Sequence, residues 1–193
     1  MRLAGALVLA ALAAISCTRT PVYTGDWRSL RHGERNGRWG FVDSEGRWAI
    51  EPRFVEYGHF AEGLAWAAKK GTAYGYVDKT GAWAINPRFR HAREFSEGLA
   101  GVEDKTGRWG YIRPDGSWAI EPRFGPAQPF SEGRAGAEEG EGYRGPWGFS
   151  DKEGRWAIPP RYVHSPGFLY GRSRFERGVA LVDLDTGWDH ELI

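Results

Sequence analysis

Residues 37–54 read GRWGFVDSEGRWAIEPRF. Much of this stretch returns as YGYVDKTGAWAINPRF from Tyr74 to Phe89, as RWGYIRPDGSWAIEPRF from Arg108 to Phe124, and as PWGFSDKEGRWAIPPRY from Pro146 to Tyr162. Gly40, Gly75 and Gly110 are spaced by 35 residues, and Gly148 follows 38 later. A second landmark, Phe-x-Glu-Gly-x-Ala, reads FAEGLA at Phe60, FSEGLA at Phe95, FSEGRA at Phe130 and, degraded, FERGVA at Phe175. A period of this size marks a repeat architecture, in which one small unit buries its apolar face against the next.

The unit reads as three short strands. Gly98–Val102 (GLAGV) is strand a, Trp109–Ile112 (WGYI) strand b and Ser117–Ile120 (SWAI) strand c. Between b and c stand DSEG, DKTG, RPDG and DKEG. Asp or Pro followed by a final Gly suits a type I turn closed by a left-handed glycine. Proline cannot donate to a ladder, so strand c is expected to stop at Pro52, Pro87, Pro122 and Pro160. This register sets Val42 opposite Trp48 and Gly40 opposite Ile50 on one sheet face, with Trp39, Phe41 and Ala49 on the other. The Trp-Gly glycine then lies where a side chain would crowd the second indole. With both faces apolar, each hairpin is expected to be buried between neighbours.

The ends suit a capped array. GVALVDLDTGWDHELI (Gly178 to Ile193) aligns with strands a and b, with Asp189-His190 in place of Trp-Gly. At the other end, residues 27–32 are assigned to strand a of the first tile. The expected fold is all-β, a tandem array of about four three-stranded antiparallel tiles plus a partial C-terminal tile. An open twisted stack is preferred, with a closed propeller-like ring as the alternative, because tiles of this length are short for four-stranded blades of about 40–45 residues.

On these residues the chain resembles the bacterial WG-repeat family, whose tiles carry Trp-Gly, an Asp-x-x-Gly turn, an apolar strand ending in Pro and a Phe-x-Glu-Gly-Leu-Ala return. The resemblance covers residues 27–193. The chain departs from the pattern at Tyr74, at Arg113-Pro114, at Ser150 and in an insertion around SPGFLYG before Phe175.

The N-terminus, MRLAGALVLAALAAISC, has one Arg and then an apolar run from Leu3 to Ile15. The run is shorter than the roughly 20 residues a spanning helix needs and reads as an export signal. Ala14-Ile15-Ser16-Cys17 resembles a lipobox, whose cysteine is lipid-modified and becomes the first mature residue. The alternative is an ordinary cleaved signal that leaves a free thiol. The chain's one cysteine falls here, which favours the lipid anchor. The expected organisation is signal peptide 1–16, anchor and tether 17–26, and repeat domain 27–193. Thr18 after the cysteine points to outer-membrane sorting. Removing Arg2 with the signal balances the 26 basic residues against the 25 acidic ones, which gives nucleic acid no electrostatic footprint.

Repetition weighs against catalysis, which needs one unsymmetrical constellation of groups with separated roles. Glu62, Glu97 and Glu132 are therefore read as partners for the recurring Arg53, Arg88, Arg123 and Arg161 rather than as catalytic carboxylates. The histidines lack ligand spacing, so neither a metal nor a cofactor is expected. The chain is read as a non-enzymatic, lipid-anchored envelope protein that binds a protein partner or acts as a scaffold. The least repetitive stretch supplies the candidate partner-binding residues Phe168, Leu169, Tyr170, Arg172 and Arg174, a composition enriched in interfaces. The alternative is polysaccharide binding, with Trp39, Tyr74, Trp109, Trp147 and Trp66 as candidate stacking platforms. The second ladder, Trp48, Trp83, Trp118 and Trp156, is assigned to the core.

Overall fold

A computed structural model describes residues 22–140, 145–162, 181–183 and 190–192. Among them the chain is all-β, apart from one 3-10 turn at Trp27–Ser29 that Asp26 caps by accepting from the Arg28 N–H at 3.0 Å. The first sheet holds β1 (Arg31–Arg35), β2 (Arg38–Val42) and β3 (Trp48–Phe54). The second holds β4 (Glu56–Tyr57), β5 (Ala65–Ala68), β6 (Tyr74–Val77) and β7 (Trp83–Phe89). The third holds β8 (His91–Ala92), β9 (Ala100–Glu103), β10 (Trp109–Ile112) and β11 (Trp118–Phe124). The fourth holds β12 (Ala135–Glu138), β13 (Trp147–Ser150) and β14 (Trp156–Tyr162), and the partial tile is the pair β15 (Leu181–Asp183) and β16 (His190–Leu192). All pairings are antiparallel, in tandem open sheets.

The sheets are joined through shared chain. β3 ends at Phe54, and two residues later β4 lies on the next sheet, with Glu56 opposite Ala68 and Tyr57 opposite Ala67. β7 and β8 repeat this at the following boundary, with His91 opposite Glu103. In the fourth sheet residues 125–128 take the same place: the Gly125 N–H donates to Glu138 O at 3.0 Å and the Gln128 N–H to Gly136 O at 2.8 Å. An interior tile is thus four-stranded, its first strand being the tail of the tile before.

That arrangement corrects the expectation that strand c stops at proline. β3 runs through Pro52, and Phe54 pairs with Trp39. The register jumps from Phe41–Ile50 to Trp39–Phe54, so Pro52 lies in a bulge where no ladder donor is required. The glycine of Trp-Gly answers to this bulge. A Cβ on Gly75 would lie 2.5 Å from Ile85 O and 2.7 Å from Pro87 N, and one on Gly110 2.5 Å from Ile120 O and 2.8 Å from Pro122 N. The obstacle is therefore partner-strand backbone, not the indole.

A second register shift, between Phe41–Ile50 and Val42–Trp48, corrects the face assignment. Trp48 and Ile50 are two apart, but the bulge at Ala49 turns them to opposite faces. Ile85 thereby joins Tyr76 and Phe89 in a core with Ala100, Val102 and Ile112 of the next sheet. The cores around Phe41, Ile50 and Phe54, and around Tyr111, Ile120 and Phe124, are built alike. Each core lies between adjacent sheets, so each interior sheet is buried on both faces, as expected. The first strand a lies at β1 rather than at residues 27–32. Its hairpin turns on Asn36 and Gly37, with φ of 55° and 69°, the Asn-Gly pair that favours such turns.

Candidate functional site

Much of the repeated chemistry is used at tile boundaries. Arg53 donates to the Gly81 carbonyl, and Arg88 donates to the Gly116 carbonyl at 2.5 Å. Each acceptor is the turn glycine of the following tile. The guanidiniums of Arg53, Arg88 and Arg123 also lie 5.2, 5.0 and 5.3 Å from the rings of Phe54, Phe89 and Phe124, a cation–π arrangement. The second-ladder Trp of each later tile meets that Phe edge-on: Phe54–Trp83 at 5.9 Å, Phe89–Trp118 at 6.0 Å and Phe124–Trp156 at 5.3 Å.

The recurring glutamates serve a different bond. Glu62 accepts from the Gly98 N–H and Glu97 from the Gly133 N–H, both at 2.9 Å. Lys152 adds an ion pair to Glu97 at 3.1 Å. Glu62, Glu97 and Glu132 have φ of 51°, 55° and 49°, a left-handed conformation that costs a non-glycine residue roughly 1 kcal/mol. The bond to the next tile explains why Glu62 and Glu97 stand there instead of Asn or Gly. The expected pairing of these glutamates with the repeated arginines is replaced by two separate contacts, both crossing the tile boundary.

The candidate binding residues gather along the tail strands. Tyr74 opens β6, His91 lies on β8 and Trp109 opens β10. His91 stacks between the other two, 5.7 Å from Tyr74 and 6.4 Å from Trp109. Trp66 meets Tyr74 edge-on at 5.7 Å and donates from Nε1 to Glu94 at 3.3 Å. The Tyr74 hydroxyl donates to Glu56 at 2.5 Å. Partial burial, with the Glu56 carboxylate beside it, pushes this phenol up to about 12. His91 Nδ1 is paired with the Glu103 carboxylate, itself 5% exposed, and Arg90 lies 4.0 Å from that carboxylate. The Arg93 guanidinium lies 5.0 Å from the Trp109 ring. At the first tile Trp39 packs on Tyr57 at 4.8 Å, and His32 contacts Trp39, Tyr57 and His59.

Burial divides the stacking candidates and reverses the two ladders. Trp109 and Trp147 are buried, at 4% and 7% exposure, and offer no free ring face. Trp39, Tyr74 and Trp66 are half-buried, as are all four rings of the second ladder. The reason is the shared strand, whose tail covers the start of strand b. His32, Tyr57, His91 and Glu103 were not legible as site residues while strand c was taken to end at proline. The offset of His91, two residues past Pro-Arg-Phe, is the signal that places it. Cys17, Phe168, Leu169, Tyr170, Arg172 and Arg174 lie outside the described residues.

The family described as WG containing repeat matches four times, at residues 39–72, 74–107, 109–143 and 147–188. The chain belongs to the WG-containing repeat family. Its sequence unit starts at the Trp of strand b, so each WG unit runs b, c, tail and the a strand of the following sheet. No curated protein matches the chain. Among solved structures, the WG array is similar to the computationally designed Ika4 protein, at 12% identity and TM-score 0.47 over 69% of this chain and 86% of that one. It is also similar to the computationally designed Ika8 protein, at 12% identity and TM-score 0.49 over 85% of this chain and 55% of that one.

Proposed function

We propose that this WG-repeat chain is a non-enzymatic binding or scaffold protein of the cell envelope, anchored through an acyl-modified Cys17, that recognises a protein partner along its row of aromatic and charged side chains. The observation that carries the protein-partner reading is the state of the ring faces. Tyr74, His91 and Trp109 are stacked on one another, and Gly58 lies against the Trp66 indole, where a Cβ would collide with it. Sugar stacking needs a free face. A protein contact can use what the row still offers, which is ring edges beside Glu56, Glu94, Arg90 and Arg93. Aromatic and arginine side chains of this kind are enriched at interface hot spots.

The test is cross-linked capture from envelope extract, compared across variants. Tyr74→Ala and His91→Ala are expected to weaken capture of a defined protein set, while Lys70→Ala leaves it unchanged. Deleting residues 166–173 examines the insertion separately. Binding of purified cell-wall glycan that is lost with Trp39→Ala and Trp66→Ala, alongside unchanged protein capture, would replace this reading with polysaccharide recognition. The anchor is tested by mass spectrometry of Cys17 and by release of Cys17→Ser from membranes.

A further inference from the structure

Each described tile boundary is closed by one repeated contact with two halves. The donor half is an Ile and a Pro-Arg-aromatic triplet on strand c. The acceptor half is the b–c turn of the next tile, with its glycine and the Trp that follows. A Cβ on Gly81 would lie 2.9 Å from Ile50 Cγ2, on Gly116 3.2 Å from Ile85 Cγ2, and on Gly154 2.9 Å from Ile120 Cγ2. The Ile seats against a surface that only glycine leaves open. Accordingly Gly81, Gly116 and Gly154 are buried, and Ile50, Ile85 and Ile120 are 2%, 4% and 4% exposed.

The chain carries four donor halves and four acceptor halves, and three boundaries match three of each. The unmatched acceptor is the first-tile turn, residues 43–48. Gly46 keeps the same left-handed φ of 78°, but it is exposed, and nothing lies within 4 Å of where its Cβ would be. Beside it opens a groove of about 540 Å³ lined by Val22, Tyr23, Thr24, Gly25, residues 43–45 and 47, Trp48 and Ala49. Val22 is 64% exposed. The unmatched donor is Ile158 with Arg161 and Tyr162, and Ile158 is half-buried where its three equivalents are buried. Terminal repeats ordinarily carry polar substitutions at such places. Here strand a of the first tile does become charged, with Arg31, Glu34 and Arg35 on β1. Both unmatched halves of the hairpin contact keep their interior residues.

We infer that two copies of this chain associate head to tail, the first-tile turn and Trp48 of one copy docking on Ile158, Arg161 and Tyr162 of the other. The partner's chemistry is dictated by the interior boundaries: an aliphatic side chain over Gly46, a guanidinium at its carbonyl and an aromatic ring on Trp48. The contact is heterologous, so each dimer retains one open half at each end and can add further copies. It uses the hairpin half of a boundary, so the association is weak and concentration-dependent. It is independent of the envelope-partner reading.

Sedimentation velocity of the full chain in mild detergent tests this. Wild type is expected to form dimers and longer species as concentration rises. Gly46→Arg fills the acceptor without meeting a neighbour in its own chain, and Ile158→Glu charges the donor. Each variant alone is expected to associate at least about tenfold more weakly than wild type, equivalent to about 1.4 kcal/mol. An equimolar mixture retains one intact head and one intact tail, so it should form dimers that grow no further. Trp48→Ala serves as a second head variant if Gly46→Arg lowers the thermal midpoint. A monomeric wild type, variants that associate like wild type, or a mixture that fails to dimerise would each overturn the inference.

Discussion

Gly75→Ala isolates the reason for the glycine in Trp-Gly. The new Cβ would stand 2.5 Å from Ile85 O, 2.7 Å from Pro87 N and 2.9 Å from Pro87 Cα. All three are backbone atoms of the bulge, so no side chain can swing away. Relief requires moving the bulge, which also carries Phe89 to its pairing with Tyr74 and into the core shared with the next sheet. Overpacking of this kind costs about 1–3 kcal/mol, and the disturbed boundary brings the expected loss to about 2–4 kcal/mol. Gly101→Ala is the control. Its Cβ would make an ordinary 3.5 Å contact with Tyr111 Cε1, so the change should stay within about 0.5 kcal/mol or stabilise slightly. Urea unfolding followed by tryptophan fluorescence reads both, with midpoints compared because repeat arrays can unfold in parts. The deciding arm is the Trp83→Ala background. Partner-strand backbone as the obstacle predicts an undiminished Gly75→Ala penalty there. Recovery of most of the penalty on truncating the indole would refute the bulge explanation.

Acid should loosen the turns and a tile boundary together. For Asp104 partial desolvation raises the carboxyl pKa, but hydrogen bonds from the Thr106 hydroxyl and from the Arg108 and Thr106 N–H groups outweigh it and hold it low. Glu97 is likewise held low: desolvation raises it, and the Gly133 N–H and Lys152 more than offset that. A depressed carboxyl pKa contributes stability above the unfolded value of about 4, lost as pH falls below it. The thermal midpoint should therefore drop below about pH 4, less steeply in Glu97→Gln, as calorimetry across pH would show. At the alkaline end, the Tyr74 phenol raised to about 12 by burial and Glu56 contributes stability below about pH 10 that is lost toward pH 12. Phenolate absorbance should lag behind that of free tyrosine, and the lag should shrink in Glu56→Gln. Tyr111→Phe removes a buried hydroxyl that donates to Gln128 O at 2.7 Å and should cost about 1 kcal/mol in denaturant unfolding.

The period, the hairpin turns and burial on both faces were legible because they depend on local residues. Asp at the turn start and Gly at its end specify a loop wherever the chain places them. The two bulges were not legible. Alternation along Trp48-Ala49-Ile50 assigns both large residues to one face, and only pairing with strand b shows that Ala49 is the extra residue. Proline misled for a related reason. Its missing N–H forbids a ladder position but suits a bulge, and the sequence does not distinguish the two. The site inherited that error. With strand c ended at Pro87, His91 belonged to a crossing loop and its place between Tyr74 and Trp109 could not be foreseen. The glutamates were paired with the wrong groups because their left-handed backbone, set by the tight turn at residues 61–64, points them at a neighbouring N–H.

The central claim is that the repeated residues exist to dock one tile on the next, and the four turn glycines test it most directly. Gly46, Gly81, Gly116 and Gly154 share φ of 78°, 82°, 83° and 81°, so substitution by Ala carries the same backbone strain, about 1 kcal/mol. They differ in what stands against them: nothing within 4 Å at Gly46, and an Ile methyl of the preceding tile at 2.9, 3.2 and 2.9 Å at the other three. Measured by denaturant unfolding, Gly46→Ala should cost about 1 kcal/mol, and Gly81→Ala and Gly154→Ala about 1–3 kcal/mol more, with Gly116→Ala between. Four equal losses would mean that the glycines serve only their own turns, and would contradict the account.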